Sequence, residues 1–467
     1  MSDSLSPQSP DPDEPDFQQM LNNLLGGAGD NPQLAEALKA MGVDRLDPAA
    51  MGMISAQLKA MLSASPDEAF NAELATDVAR KTVSATGDAS VGDAARRDVE
   101  EAAHVAGLWL DDVTQFTAPG VAARAWSRAE WVDQTMPVWR TLVEPVASGV
   151  STAIVAAMRG QMGNLDPSQL PPGVPAGMDL GAMMGQMEPM LARMSASMFG
   201  AQVGQAVGAL GGDTLSGTEV GLPLVQGNAV ALVPANIAAF AEGLEVDLAE
   251  VRLYLAVREA ARVRLFADVP WLGPQLVAAV QAYARDISID TDRIESALQS
   301  VDPTDPAAMQ SALSDSLFTP EPSAAQQAAL SRLETYLALV EGWVDVVADR
   351  ATAPHLPHGA ALGEAVRRRR ASGGPAERVF SQLVGLELRP RRLRDAANLW
   401  AALESSGGVA ARDGAWAHPD VAPTAADLDD PLGYVERVRD AGSGGGDDMD
   451  AALDAILREG ESGGGPA

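Results

Sequence analysis

The stretch from Asp247 to Pro270 constrains this chain more than any other. It reads DLAEVRLYLAVREAARVRLFADVP, and Leu248, Val251, Leu255, Ala256, Glu259, Ala260 and Val263 fall on or near one stripe at i, i+3, i+4 spacing. That periodicity predicts a helix, and Pro270 closes it. Set into the same helix is Arg258-Glu259-Ala260-Ala261-Arg262, with two arginines one turn apart and a glutamate between them. On its own such a string is most often a salt-bridged surface.

The rest of the chain is read around that helix. Ala, Leu, Val and Met dominate and aromatics are only 4%, which favours helices packed through small and flexible side chains over an aromatic, β-branched sheet. Helices are predicted over 98–116, 127–158 with interruptions at Pro137 and Pro145, 271–285, 324–349, 359–370, 376–384 and 391–404. VALVP at Val230–Pro234 is the best strand candidate, so the fold class is mainly α with a small β element. The predicted organisation is an acidic, disordered tail over 1–30, a helical N-terminal region over 31–97 with a short helix near Pro32 to Met41, a main domain over 98–440, and a flexible tail over 441–467 carrying a short helix at Ala451–Leu457. Within the main domain, the proline-, glycine- and methionine-rich 160–190 reads as a mobile loop.

Several functions are disfavoured by composition. The net charge of −31 repels polyphosphates, so no nucleic-acid partner is expected. No cysteine is present, which excludes disulfides, thiol nucleophiles and cysteine-ligated zinc. The start, MSDSLSPQSPDPDEPDFQQ, has neither the positive nor the apolar region of a secretory signal, and a cytoplasmic location is expected. Met194–Gly212 is uncharged and repeats Gly200, Gly204 and Gly208 every fourth residue. Its glutamines, serines and glycines favour a tightly packed soluble helix over a membrane span, and no membrane partner is expected.

Zinc peptidases of the zincin kind place HExxH on a helix, because two imidazoles at i and i+4 share a face and grip one ion, with the intervening glutamate as general base. In this chain FGAQVGQAVGALGGDTLSGTEVGLPL, VALVPANIAAFAEGL, DLAEVRLYLAVREAARVRLFADVPWL, LVEGWVDVV and AVRRRRASGGPAERVFSQLVGLELRPRRLRDAANLW follow one another in order. Together, over roughly Trp109 to Pro431, they resemble the bacterial zincin-like metallopeptidase type 2 family. Its members are labelled zinc-dependent metalloproteases or hydrolases, and a related branch is labelled as associated with deazaflavin coenzyme biosynthesis. The resemblance implies a zincin-like helical architecture, a vestigial general base at Glu259, and Glu341 as the surviving third-ligand position.

The departures from the family pattern fall on the chemistry. The HExxH ligand positions are Arg258 and Arg262, and where relatives often read EGWVDHV this chain has Val346. A guanidinium has no lone pair to offer a metal and does not deprotonate in proteins. No resident cofactor is therefore expected. Arg258 and Arg262 are instead expected to meet Glu259, Glu341 and Asp345 in an ionic cluster that joins two helices.

The histidines are His104, His355, His358 and His418. His104 reads as a partly buried or boundary residue, HLPH at His355 and His358 as a surface loop with metal ligation by the pair as the lesser alternative, and His418 as a turn residue. The arginines from Arg367 to Arg394 lack interleaved aromatics and read as intramolecular or acidic-partner contacts. Two functional readings follow. The first is a catalytically degenerate homologue acting as a binding or scaffold module for a protein or peptide. The alternative is a zinc-dependent hydrolase of the same family whose ligands lie elsewhere.

Overall fold

In a computed structural model the described residues are 70–163, 180–285, 323–371 and 392–440. All lie in one compact unit, Ala64–Ala467. The predicted helices at 32–41, 376–384 and 451–457 and both predicted tails fall outside them, as do Arg378, Arg389 and Arg391.

The chain opens with α1 (Ala72–Ala85), whose N-terminus is capped by the Asn71 side chain accepting from Leu74 N at 3.0 Å. Next come α2 (Asp93–Asp111), β1 (Ala122–Ala125), α3 (Arg128–Gly163) and α4 (Leu180–Gly211). They are followed by β2 (Ala229–Leu232), α5 (Pro234–Ala241), α6 (Leu248–Asp268) and α7 (Leu272–Arg285). The last described elements are α8 (Ala324–Thr352), α9 (Gly359–Ala371), α10 (Leu393–Gly414), α11 (Ala425–Asp429) and a helical stretch over 431–440. The described part is thus mainly helical with one small sheet. Among the described residues no helix is long and apolar enough to cross a membrane.

Only β2 was expected. It pairs in parallel with β1, Ala122 opposite Ala229 through Ala125 opposite Leu232. β1 reads AARA, with neither β-branched nor aromatic residues, so its strand state comes from docking beside β2 and not from propensity. The other edge of β2 takes a short antiparallel contact, with Gly217 N donating to Ala231 O at 3.0 Å and Val233 N to Leu215 O at 3.0 Å. That contact fixes the segment 214–219 beside α6.

Three expectations are corrected. α3 is continuous through Pro137 and Pro145, although each proline removes a backbone donor. Its buried Trp131, Val132, Met136, Trp139, Leu142, Val143 and Val146 provide enough packing to outweigh the missing bonds. The expected loop at 160–190 is helical at both ends, since α3 reaches Gly163 and α4 begins at Leu180. Leucine, alanine and methionine are good helix formers, and they override the turn signals there. His104 is exposed, on the outer face of α2. In addition, α10 runs past Glu404 to Gly414, broken at Gly407 and Gly408, where Gly408 adopts φ 72°.

The glycine face of α4 receives α1. A methyl group at Gly200 would come within 2.6 Å of the Asn71 carbonyl oxygen, and one at Gly208 within 2.7 Å of Thr82 Cβ. At Gly204 it would collide with the Ala75 carbonyl. Backbones approach this closely only where no Cβ intervenes. A similar bare spot, Gly342 on α8, admits α10 at Ala396 and Ala397.

Candidate functional site

α6 is a central helix, buried on every side from Tyr254 to Leu265, and this places Arg258, Glu259 and Arg262 in the interior. Interior charges persist only when paired and hydrogen-bonded. The partners come from α8, which runs beside α6 and is itself buried from Ala338 to Ala348.

Arg262 grips Glu341 bidentately, Nε to Oε1 at 2.7 Å and Nη2 to Oε2 at 3.1 Å. Arg258 donates Nη2 to Glu341 Oε2 at 3.2 Å and Nη1 to Asp345 Oδ1. A third guanidinium arrives from α9, where Arg370 Nη1 pairs with Glu341 Oε2 and Nη2 donates to the Glu219 carbonyl at 2.8 Å. Glu341 is 4% exposed and carries all three cations. Burial alone would raise its carboxyl pKa, but Arg262, Arg370 and Arg258 together hold it far below the ordinary glutamate range.

Glu259 turns the other way. Its carboxylate accepts from Ser216 Oγ at 2.7 Å, Thr218 Oγ1 at 2.8 Å and Thr218 N at 3.0 Å, with Arg262 Nη1 at 3.5 Å. It is fully buried, and burial pushes its carboxyl up against the opposing pull of Arg262, Ser216 and Thr218. In this position it anchors the segment 214–219 to α6. Tyr254, one turn before Arg258, points its hydroxyl under α9, where a Cβ on Gly363 would lie 2.9 Å from it. Burial raises that phenol, with Arg258 opposing.

These residues do not suit a zinc ion. Both helical ligand positions are guanidinium groups, and both oxygens of Glu341 are engaged by arginine. Val346 offers no donor. Among the described residues no group of three or more His, Cys, Asp or Glu is placed to hold a metal. The HLPH histidines diverge: His355 stacks on Trp109 with ring centroids 4.4 Å apart, and His358 meets Glu250 through backbone N at 2.7 Å and Nδ1 at 2.9 Å. His418 is exposed and faces Asp420.

The arginine run at the end of α9 is engaged within the chain. Arg367 faces Asp345 at 3.7 Å and Asp349 at 4.0 Å, Arg368 pairs with Glu364, and Arg369 reaches Asp213 and Glu219. Farther on, Arg392 pairs with Asp395 and Asp429. With these cations committed and a net charge of −31, gel-shift titration at low salt is expected to show no sub-micromolar binding of DNA or RNA. Tight, salt-sensitive binding would contradict the assignment.

Sequence reasoning located Arg258, Arg262, Glu341 and Asp345 but not Arg370, Ser216 or Thr218. The arginine run was visible, but no spacing rule says which carboxylate a residue more than a hundred positions from α6 will reach.

Known proteins give matching context. A family profile described as zincin-like metallopeptidase matches residues 70–435, which takes in α1 as well as the motif helices. Among solved structures, a candidate hydrolase with a novel fold from Chloroflexus aurantiacus is similar at a TM-score of 0.54 and 16% identity, covering 79% of this chain and 99% of that one. Among curated proteins, none matches.

Proposed function

The chain belongs to the zincin-like metallopeptidase family, in which it is a catalytically degenerate homologue, and from that premise we propose that it works as a binding or scaffold module for a protein or peptide. The observation that supports this reading is the double engagement of Glu341 by Arg258 and Arg262, which puts hydrogen-bond donors at the two positions that would supply metal-binding lone pairs. Glu259 is then a structural acceptor, not a base, because three short hydrogen bonds tie it to Ser216 and Thr218. The lack of cysteine fits a cytoplasmic site of action.

Metal analysis and a peptide-library assay test the reading together. The purified protein is expected to carry far less than one zinc per chain after dialysis and to leave peptides intact. Stoichiometric zinc, with cleavage abolished by Glu259→Gln, would overturn it in favour of a hydrolase.

A second expectation concerns restoration of the motif. Arg258→His with Arg262→His leaves Arg370 still paired to Glu341. Zinc titration of that double variant is therefore expected to show weak uptake, and adding Arg370→Ala should tighten it by about tenfold or more, since a resident competitor is removed. Equal affinity with and without Arg370 would show that Glu341 is not the third ligand.

A further inference from the structure

The charges around Glu341 are balanced only with α9 in place. Arg258, Arg262, Arg367 and Arg370 stand against Glu259, Glu341, Asp345 and Asp349 within the contacts of the cluster. Withdrawal of Arg370 leaves one carboxylate charge unmatched in a buried setting, together with an open acceptor at the Glu219 carbonyl. Such a site favours a cation that can donate in two directions at once, and a guanidinium does this where an ammonium does so less well. A buried carboxylate that lacks its partner is costly, so whichever cation is nearest will be taken up.

Two features of α9 make the exchange accessible. Its large buried apolar side chains are Leu362 and Val366, and much of its remaining hold is through the arginines of its last turn. Gly363, which allows α9 to sit over the Tyr254 hydroxyl, adds no side-chain packing of its own. The strongly acidic chain also draws basic segments toward it at long range.

We propose that the seat occupied by the Arg370 guanidinium, between Glu341 and the Glu219 carbonyl, is a recognition subsite for an arginine side chain of a basic partner peptide. Arg370 is its internal occupant, an autoinhibitory stand-in that the partner displaces along with α9. The inference rests on the binding-module reading above and names the chemistry that the module selects.

Chemical rescue tests it in the full chain. Arg370→Ala is expected to melt several degrees below the parent, and millimolar methylguanidinium should raise its melting temperature along a saturable curve relative to potassium chloride at equal ionic strength. The parent and the double variant Arg370→Ala, Glu341→Gln should not respond. The peptide acetyl-Gly-Arg-Gly-amide should bind Arg370→Ala at least about tenfold more tightly than it binds the parent, the ratio expected when an internal occupant fills the seat more than nine-tenths of the time. The citrulline analogue should not bind. If Arg370→Ala fails to fold, Arg370→Lys supplies a weaker occupant, and the peptide should still bind it more tightly than the parent.

No saturable rescue, or equal rescue in the Glu341→Gln background, would overturn the subsite, as would the lack of any peptide gain in either variant. Zinc-dependent cleavage by the parent would instead defeat the binding-module reading and leave the rescue measurement standing on its own.

Discussion

Glu341→Gln is expected to lower folding stability by about 3–5 kcal/mol, the range for removing one partner from a buried ion pair. The substitution keeps shape and volume, so packing around α8 is preserved and the change is confined to charge. It leaves Arg258, Arg262 and Arg370 facing a neutral amide in a setting where Glu341 is 4% exposed. Urea unfolding measures the difference, and a loss under about 1 kcal/mol would mean that the cluster behaves like a solvent-screened surface pair.

The same group sets an acid limb. A carboxyl whose folded pKa is depressed contributes fully above its unfolded value and loses that contribution as pH falls toward the folded value. For Glu341 the loss should therefore set in below about 4.3, the ordinary glutamate value. Glu259 has the opposite sign: its raised carboxyl costs stability at neutral pH, and the cost is relieved as it protonates. Parental stability is expected to flatten in mild acid and then to fall, and the fall should be shallower in Glu341→Gln.

Gly204→Val is expected to cost about 3 kcal/mol, at the upper end of ordinary overpacking, because the new side chain meets backbone and not a movable side-chain end. Its Cβ would run into the Ala75 carbonyl and lie 2.8 Å from Val78 Cβ, so α1 must lift from α4 for the variant to fold. Gly204→Ala should lose less, in the range of about 1–3 kcal/mol. Thermal or urea unfolding of the series reads this, and a valine variant within 0.5 kcal/mol of the parent, about the scatter of surface substitutions, would show that α1 does not pack as described.

The sequence made some of this architecture legible and concealed the rest for identifiable reasons. α6 could be read because its apolar spacing and Pro270 both point to one helix. That it is buried on every side could not, because the stripe read from its spacing covers only one face. The glycines of α4 announced a close approach, but only the fold names α1 as the helix that approaches. β1 is invisible in AARA, since its pairing is made by β2, more than a hundred residues away. At the site, i to i+4 spacing set Arg258 above Arg262 and the family pattern pointed to Glu341. The arrival of Arg370 depends on the turn into α9, about which local pattern is silent.

The arginine cluster also changes what the folded state depends on. Where a bound ion joins two helices, stability follows the free concentration of that ion by mass action, and a chelator can draw the protein toward its unfolded form. In this chain α6 and α8 are joined by cations that are part of the polypeptide. Their concentration at the site is fixed by the chain itself, so no scarcity of metal can strip them out. A helix pair joined in this way stays intact under conditions that would strip the metal from one held by a bound ion.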